Sequence, residues 1–395
     1  MLRTVPFALC LLVSAAVAQT PPSDPPPLAV PADPAVPSNA PASDVPAEQP
    51  SPAAPPAPVQ DAPAPAAPKP AAPPADGPAA AEQQRFEQYR HDLINLLALR
   101  ADADLLVAAA ELAYPDTADK SRPVALKSAA LIKRAQKFGP DVPLVWWVST
   151  FIDCGADGTK CRGEAAAKLA QVAADNAAAW LPSLHVAKDA GQARAILASM
   201  AQAQRCDDFW TSGVLAVYKA VQTLPVPAEV LSHGLNAAAA RVNFSTGVGG
   251  GFLPNYARLG ELCHSSDSAD EALVTDCLAV ARLLENGGTF RTQAVGFGIE
   301  DSLLPAGTAR DVLRSRQRAS AWQKERFLEI SGRFPREEAL AQTYLDLLGE
   351  HGGELATVTA LLRSQHVPTD PPAGWQPSET NPTRAADPRT LPPTH

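Results

Sequence analysis

More than half of the chain's 41 prolines fall between Pro21 and Pro78, and that clustering divides the polypeptide before any helix or strand is sought. Proline has no amide hydrogen to donate and disfavours the helical conformation for the residue before it. A run such as Ala62-Pro63-Ala64-Pro65-Ala66-Ala67-Pro68 can neither join regular structure nor bury a core. Residues 19–80 are therefore predicted to be a disordered, extended, Pro/Ala-rich linker. At about 3.1 Å per residue it would reach on the order of 150 Å, which suits a stalk across a crowded layer or a leader that keeps the folded part off other surfaces. Residues 367–395, with Pro371-Pro372 and Pro392-Pro393, read as a second disordered, Pro-rich tail. Roughly 285 residues remain between the two, enough to bury a sizeable core.

The first 18 residues combine a basic start at Arg3, an apolar run from Val5 to Val13 and the small residues Ala16-Val17-Ala18 before Gln19. That is the pattern of a signal peptide over 1–18 with its cleavage site. The run is too short to span a bilayer, and no later stretch is long and uncharged enough to do so, so no transmembrane segment is expected. Cys10 lacks the small residues that lipoprotein processing requires just before the modified cysteine. The Ala-rich style and the single Asn-x-Ser sequon at Asn243 point to a bacterial periplasmic protein, with secretion as the second address.

In an oxidising compartment the five cysteines left after cleavage predict two disulfides and one leftover thiol. Cys154 and Cys161 bracket the turn-like Gly155-Ala156-Asp157-Gly158 and form the first expected pair. Cys263 with Cys277 is the second, with Cys206 a rival partner if Cys277 lies deep inside a helix. No C-x-x-C pair exists and no two of the seven histidines stand at helical spacing, so neither a metal nor a cofactor is predicted. A net charge of −9 without a basic block argues against nucleic acid as a partner.

Between linker and tail the apolar residues recur with a helical period, and breakers arrive every 12 to 20 residues. Phe86, Tyr89, Leu93, Leu96 and Leu97 form one stripe and Leu105, Leu106, Ala109 and Leu112 the next. Val124 to Phe138 follows, stopped by Gly139-Pro140, and further helices are expected as far as Ser364, with Asn286-Gly287-Gly288 a clear stop and no helix read from there to Pro305. Thr246-Gly247-Val248-Gly249-Gly250-Gly251 lacks the Lys-Ser/Thr of a phosphate-binding loop and reads as a loop between two helical regions, 81–245 and 252–366. The predicted fold class is all-α, built of stacked antiparallel helical hairpins.

Trp146 and Trp180 are 34 residues apart and each opens a helix after a short polar turn. Ala135 and Pro140 stand upstream of the first, and Gly191 follows the second by eleven residues. On these residues the segment 124–204 resembles the tetratricopeptide repeat, whose period is about 34. It departs from the pattern at Thr150 and Leu184, where a glycine is expected, and at Ile196, where a small residue is. The resemblance implies an α-solenoid with a concave face that binds a peptide or protein partner.

Chemistry is sparse. Asp207-Asp208 before Phe209-Trp210 could be a carboxylate pair, but reads as the start of a helix. Arg310 to Arg326 reads as a solvated basic face. No nucleophile stands beside a recognisable base, so no enzymatic activity is predicted. Trp146, Trp180 and His185 are the candidate groove residues. The predicted function is protein or peptide interaction in the bacterial envelope; an envelope hydrolase with a dispersed site and a purely structural spacer are the alternatives.

Overall fold

The computed structural model describes residues 78–114, 124–152, 158–227, 235–264 and 270–377. The predicted signal peptide, nearly all of the linker, Cys154 and the end of the tail lie outside the described residues. Fifteen α-helices and no strand occur among those described. The all-α reading is thus met.

The first five are α1 (Pro78–Leu97), α2 (Ala103–Ala113), α3 (Val124–Phe138), α4 (Pro143–Ser149) and α5 (Gly158–Val172). Asp102 opens α2 by accepting the Leu105 N–H at 3.1 Å. The helix that follows, ADLLVAAAELA, is apolar almost all round and buried from Leu105 to Ala113. Such a helix must be surrounded, and α1, α3, α4, α8 (Trp210–Thr223) and α9 (Ala237–Gly249) all pack on it. A second core joins α6 (Leu181–His185), α7 (Ala190–Ala201), α10 (Ala257–His264), α11 (Glu271–Glu285) and α12 (Phe290–Leu303). A third gathers α9, the end of α13 (Thr308–Ser331), α14 (Glu338–His351) and α15 (Glu354–Ser364).

Chain-adjacent hairpins dominate the packing: α2 with α3, α8 with α9, α11 with α12, and α14 with α15. Contacts between helices far apart in sequence tie them together, since α2 meets α8, α7 meets α11 and α9 meets α14. In a strict solenoid each unit touches only its neighbours, so these cross-contacts make a closer assembly than an open stack.

Two departures from the expected elements share one cause. Residues 246–249, predicted to be loop, complete α9, so the helix runs past the expected boundary at 245. Helix α12, with Gly296 and Gly298 inside it, has no counterpart in the periodic reading. In both, glycine permits close approach of helices. A Cβ on Gly249 would lie 2.5 Å from the Gly213 carbonyl on α8, and one on Gly296 would lie 2.6 Å from the Ala281 carbonyl on α11. The tail also orders later than expected: residues 367–377 are described, lying against α13 through Trp322 and Gln323.

Cys263 and Cys277 form a disulfide with a Cα separation of 5.7 Å. Cys277 lies about two turns into α11 and the bond still forms, because α10 packs alongside that helix. Cys206 is buried and free, while Cys161 is not a free thiol. The bridge closes a loop with a sequence separation of 14. Replacing both Cys263 and Cys277 by Ala should lower the unfolding free energy by about 3 kcal/mol. Urea unfolding of oxidised wild type beside the double variant checks this; a loss under ~1 kcal/mol would mean that helix packing alone holds α10 on α11.

Glu111 is the oddest residue of the first core. It lies inside α2, 5% exposed, with no hydrogen-bond partner for either carboxyl oxygen. Burial holds its pKa well above the ordinary value. The folded chain thus keeps a proton that the unfolded chain releases, so this residue's contribution to stability is full below about pH 4.3 and is lost as pH rises toward the raised folded value. Glu111→Gln should leave stability near pH 4 unchanged. It should raise it at pH 7, the difference growing by up to ~1.4 kcal/mol per pH unit between. Unfolding curves of both chains from pH 4 to 8 measure that difference, and parallel pH profiles would refute it.

Candidate functional site

Residues 202–209 form the turn from α7 into α8, and the turn from α5 toward α6 lies beside it. Asn176, fully buried, joins the two: its Oδ1 accepts from Asp207 N at 2.8 Å and its Nδ2 donates to the Asp207 carbonyl at 2.8 Å. The Ala177 N–H donates to the Arg205 carbonyl, and the amides of Gln204 and Arg205 donate to the Asp175 carbonyl. Arg205 Nε closes the outside on Asp175 at 2.8 Å. Two helix–helix turns are thereby zipped by backbone and side chain together.

Asp207 Oδ1 accepts the Phe209 N–H at 3.0 Å and Asp208 Oδ1 the Trp210 N–H at 3.2 Å. Both therefore satisfy amides at the start of α8, as their place in the sequence suggests. Asp208 does more. Its Oδ2 accepts from the hydroxyls of Thr289 and Thr292, each at 2.6 Å, and Thr292 is within 2.9 Å of the Tyr256 hydroxyl. Asp208, Tyr256 and both threonines are all buried. At the next residue, Glu354 accepts the Phe290 N–H at 2.9 Å, and burial, with Asp208 nearby, pushes its carboxyl up to about 7.

Between the two aspartates and α8, Phe209 takes φ 61°, a left-handed conformation that costs a non-glycine residue about 1–3 kcal/mol. Asp207 holds its amide, and its ring stacks on Trp147 at 5.1 Å. Phe209 also lines a cleft of about 350 Å³. The cleft has apolar walls at Val142, Pro143, Leu144 and Leu215 and a rim carrying both signs of charge, Arg205 and Lys219 with Asp104 and Asp207. Lys219 is paired with Asp102 at 2.8 Å. Burial raises the pKa of Asp207. Ser212 lines the cleft as well, and no histidine or cysteine does. Cys206 lies in the second core beneath the turn. Its thiol is pushed above the usual range by burial, then by Asp208 and Asp207, which leaves it protonated and a poor nucleophile at neutral pH.

No family model, no curated protein and no solved structure matches this chain.

The predicted groove residues are placed apart. Trp146 packs on the first core and Trp180 on the second; neither lines the cleft. His185 is exposed at the end of α6. The two tryptophans nevertheless share a local geometry, each donating its indole N–H to a carbonyl six residues upstream, Pro140 at 2.7 Å and Ala174 at 3.2 Å. The elements around them keep the same offset of 34: Val124–Phe138 against Gly158–Val172, and Pro143 against Ala177. Asn176, Thr289 and Thr292 carried no signal in the sequence as buried partners of Asp207 and Asp208. Among the described residues no group of three or more His, Cys, Asp or Glu could hold a metal ion, and no helix is long and apolar enough to cross a membrane.

Proposed function

We propose that this chain is an exported, tetratricopeptide-like interaction module of the bacterial envelope, and that the cleft between α4 and α8 takes a short segment of a peptide or protein partner. The observation that carries the reading is the strained Phe209, held in place by Asp207 and Trp147 at the lining of a small apolar cleft with charges of both signs on its rim. Strain of this kind persists only where the surroundings over-determine it. The cleft is of a size for one or two side chains, and the charged rim would orient a backbone or an oppositely charged flank. The repeated indole-to-carbonyl contacts 34 residues apart support the repeat reading.

The test places a photo-crosslinking amino acid at Ser212 in the full chain, expressed with its leader in a bacterial host. A discrete protein adduct from this position, lost when Leu215→Trp fills the cleft, supports the reading. Adducts at Ser212 that are indifferent to Leu215→Trp, or none, would reject the cleft as a binding site.

A further inference from the structure

We propose that the outer face of α13 is a binding surface for proline-rich, tryptophan-bearing segments, occupied in cis by this chain's own residues 367–377 and open to such a segment from a partner. This surface is separate from the cleft at Phe209. Arg314, Arg318, Trp322 and Arg326 recur every four residues along α13 and so form one stripe. Val367-Pro368-Thr369-Asp370-Pro371-Pro372-Ala373-Gly374-Trp375-Gln376-Pro377 meets α13 at Trp322 and Gln323, and its last two residues line a cleft with Arg314 and Arg318. Trp322 donates its indole N–H to the Pro368 carbonyl at 2.8 Å, and Gln323 donates to the Thr369 carbonyl at 3.2 Å. Trp375 then meets Trp322 edge to face at 5.3 Å, while the Arg326 guanidinium covers the Trp322 ring at 4.5 Å.

The manner of attachment identifies the ligand class. Residues 367, 369 and 371 are partly buried and 368, 370 and 372 exposed, so this stretch runs along the surface until a turn, closed by the Trp375 N–H on the Pro372 carbonyl at 3.1 Å with Gly374 at φ 78°, brings Trp375 back onto Trp322. Helix side chains hold it by donating to its carbonyls, so a residue without an amide hydrogen loses nothing there. An indole N–H on a proline carbonyl and an aromatic wall are how aromatic-lined grooves receive extended proline-rich peptides. Gln376 and Pro377 line that cleft, of about 520 Å³, together with Arg314 and Arg318, and Arg318 Nε has no hydrogen-bond partner.

A tethered strap competes at a high effective concentration, so the test weakens it within the full chain. The probe is a fluorescein-labelled peptide with the sequence of residues 367–377, read by anisotropy. Full-length Trp375→Ala should bind it about tenfold or more tightly than wild type, with faster hydrogen exchange over residues 368–377 reporting release. If Trp375→Ala leaves the strap protected, Pro368→Gly is added and the same comparison is made. In the released background Trp322→Phe keeps a ring but removes the donor and should weaken binding about threefold or more. A peptide of residues 62–74, proline-rich but without an aromatic residue, should bind about tenfold more weakly than the probe. Equal binding by wild type and the released chain, no binding once the strap exchanges freely, indifference to Trp322→Phe, or equal binding of the two peptides would each overturn the proposal.

Discussion

Trp147→Ala should lower the unfolding free energy by about 3–5 kcal/mol, while Trp146→Ala, one residue away, should cost about 1–2 kcal/mol. The Trp147 ring is 1% exposed. It stacks on Phe209 at 5.1 Å, meets Phe151 edge to face at 5.2 Å and donates its N–H to the Phe252 carbonyl at 2.9 Å. Its removal leaves a cavity where three segments meet and strands a carbonyl without its donor. The Trp146 ring is half-buried at the edge of the same core, with one hydrogen bond to the Pro140 carbonyl. Guanidinium unfolding of the two single variants beside wild type decides the matter; equal losses would mean that the first core does not close on Trp147. Since Trp147 supports the ring of Phe209, its loss should also abolish crosslinking from the cleft, whereas Trp146→Ala should leave it intact.

Asp208→Ala carries a comparable cost, about 3–5 kcal/mol, for a different reason. The carboxyl gathers two threonine hydroxyls and the Trp210 amide in a buried site. Removing the acceptor breaks three buried hydrogen bonds at once and leaves the threonine hydroxyls only each other and Tyr256 as partners, at about 1–1.5 kcal/mol for each bond lost. Thr292→Val, which keeps the shape and removes one hydroxyl, should cost only about 1–2 kcal/mol. The same denaturant curves measure both, and a loss at Asp208→Ala no larger than at Thr292→Val would show that the network is not organised around the carboxyl. Asp208→Ala should also loosen the turn that holds Phe209 in its left-handed conformation, read as faster hydrogen exchange at the amides of 207–210.

Both predictions turn on residues whose type and neighbours were visible in the sequence while their partners were not. Local periodicity and breakers determined that the body is helical: Val124–Phe138 could be read to the residue because an amphipathic run is followed at once by Gly139-Pro140. The same local rules place Asp207 and Asp208 beside the amides at the start of α8. They also make Cys263 and Cys277 the second expected disulfide pair, since that rested on their nearness in the chain.

What local rules misassign are residues whose value depends on a neighbour distant in sequence. Gly249 weakens a helix taken alone and reads as part of a loop, and no helix is expected around Gly296, but each lies where two helix backbones approach too closely for a Cβ, and burial of the flanking apolar faces outweighs their poor propensity. Asn176 and Asp207 are 31 residues apart, Asp208 and Thr292 84; no periodicity links them, and only the packing of the two turns against α12 makes them partners. A proline-rich segment has no internal hydrogen bonds to announce order, so residues 367–377 read like the rest of the tail until Trp322 and Gln323 supply donors from α13. Helix content followed from patterns within a dozen residues, which sequence displays directly. The site and the strap were decided by tertiary contacts, because satisfying a buried polar group or an extended backbone depends on which surfaces meet.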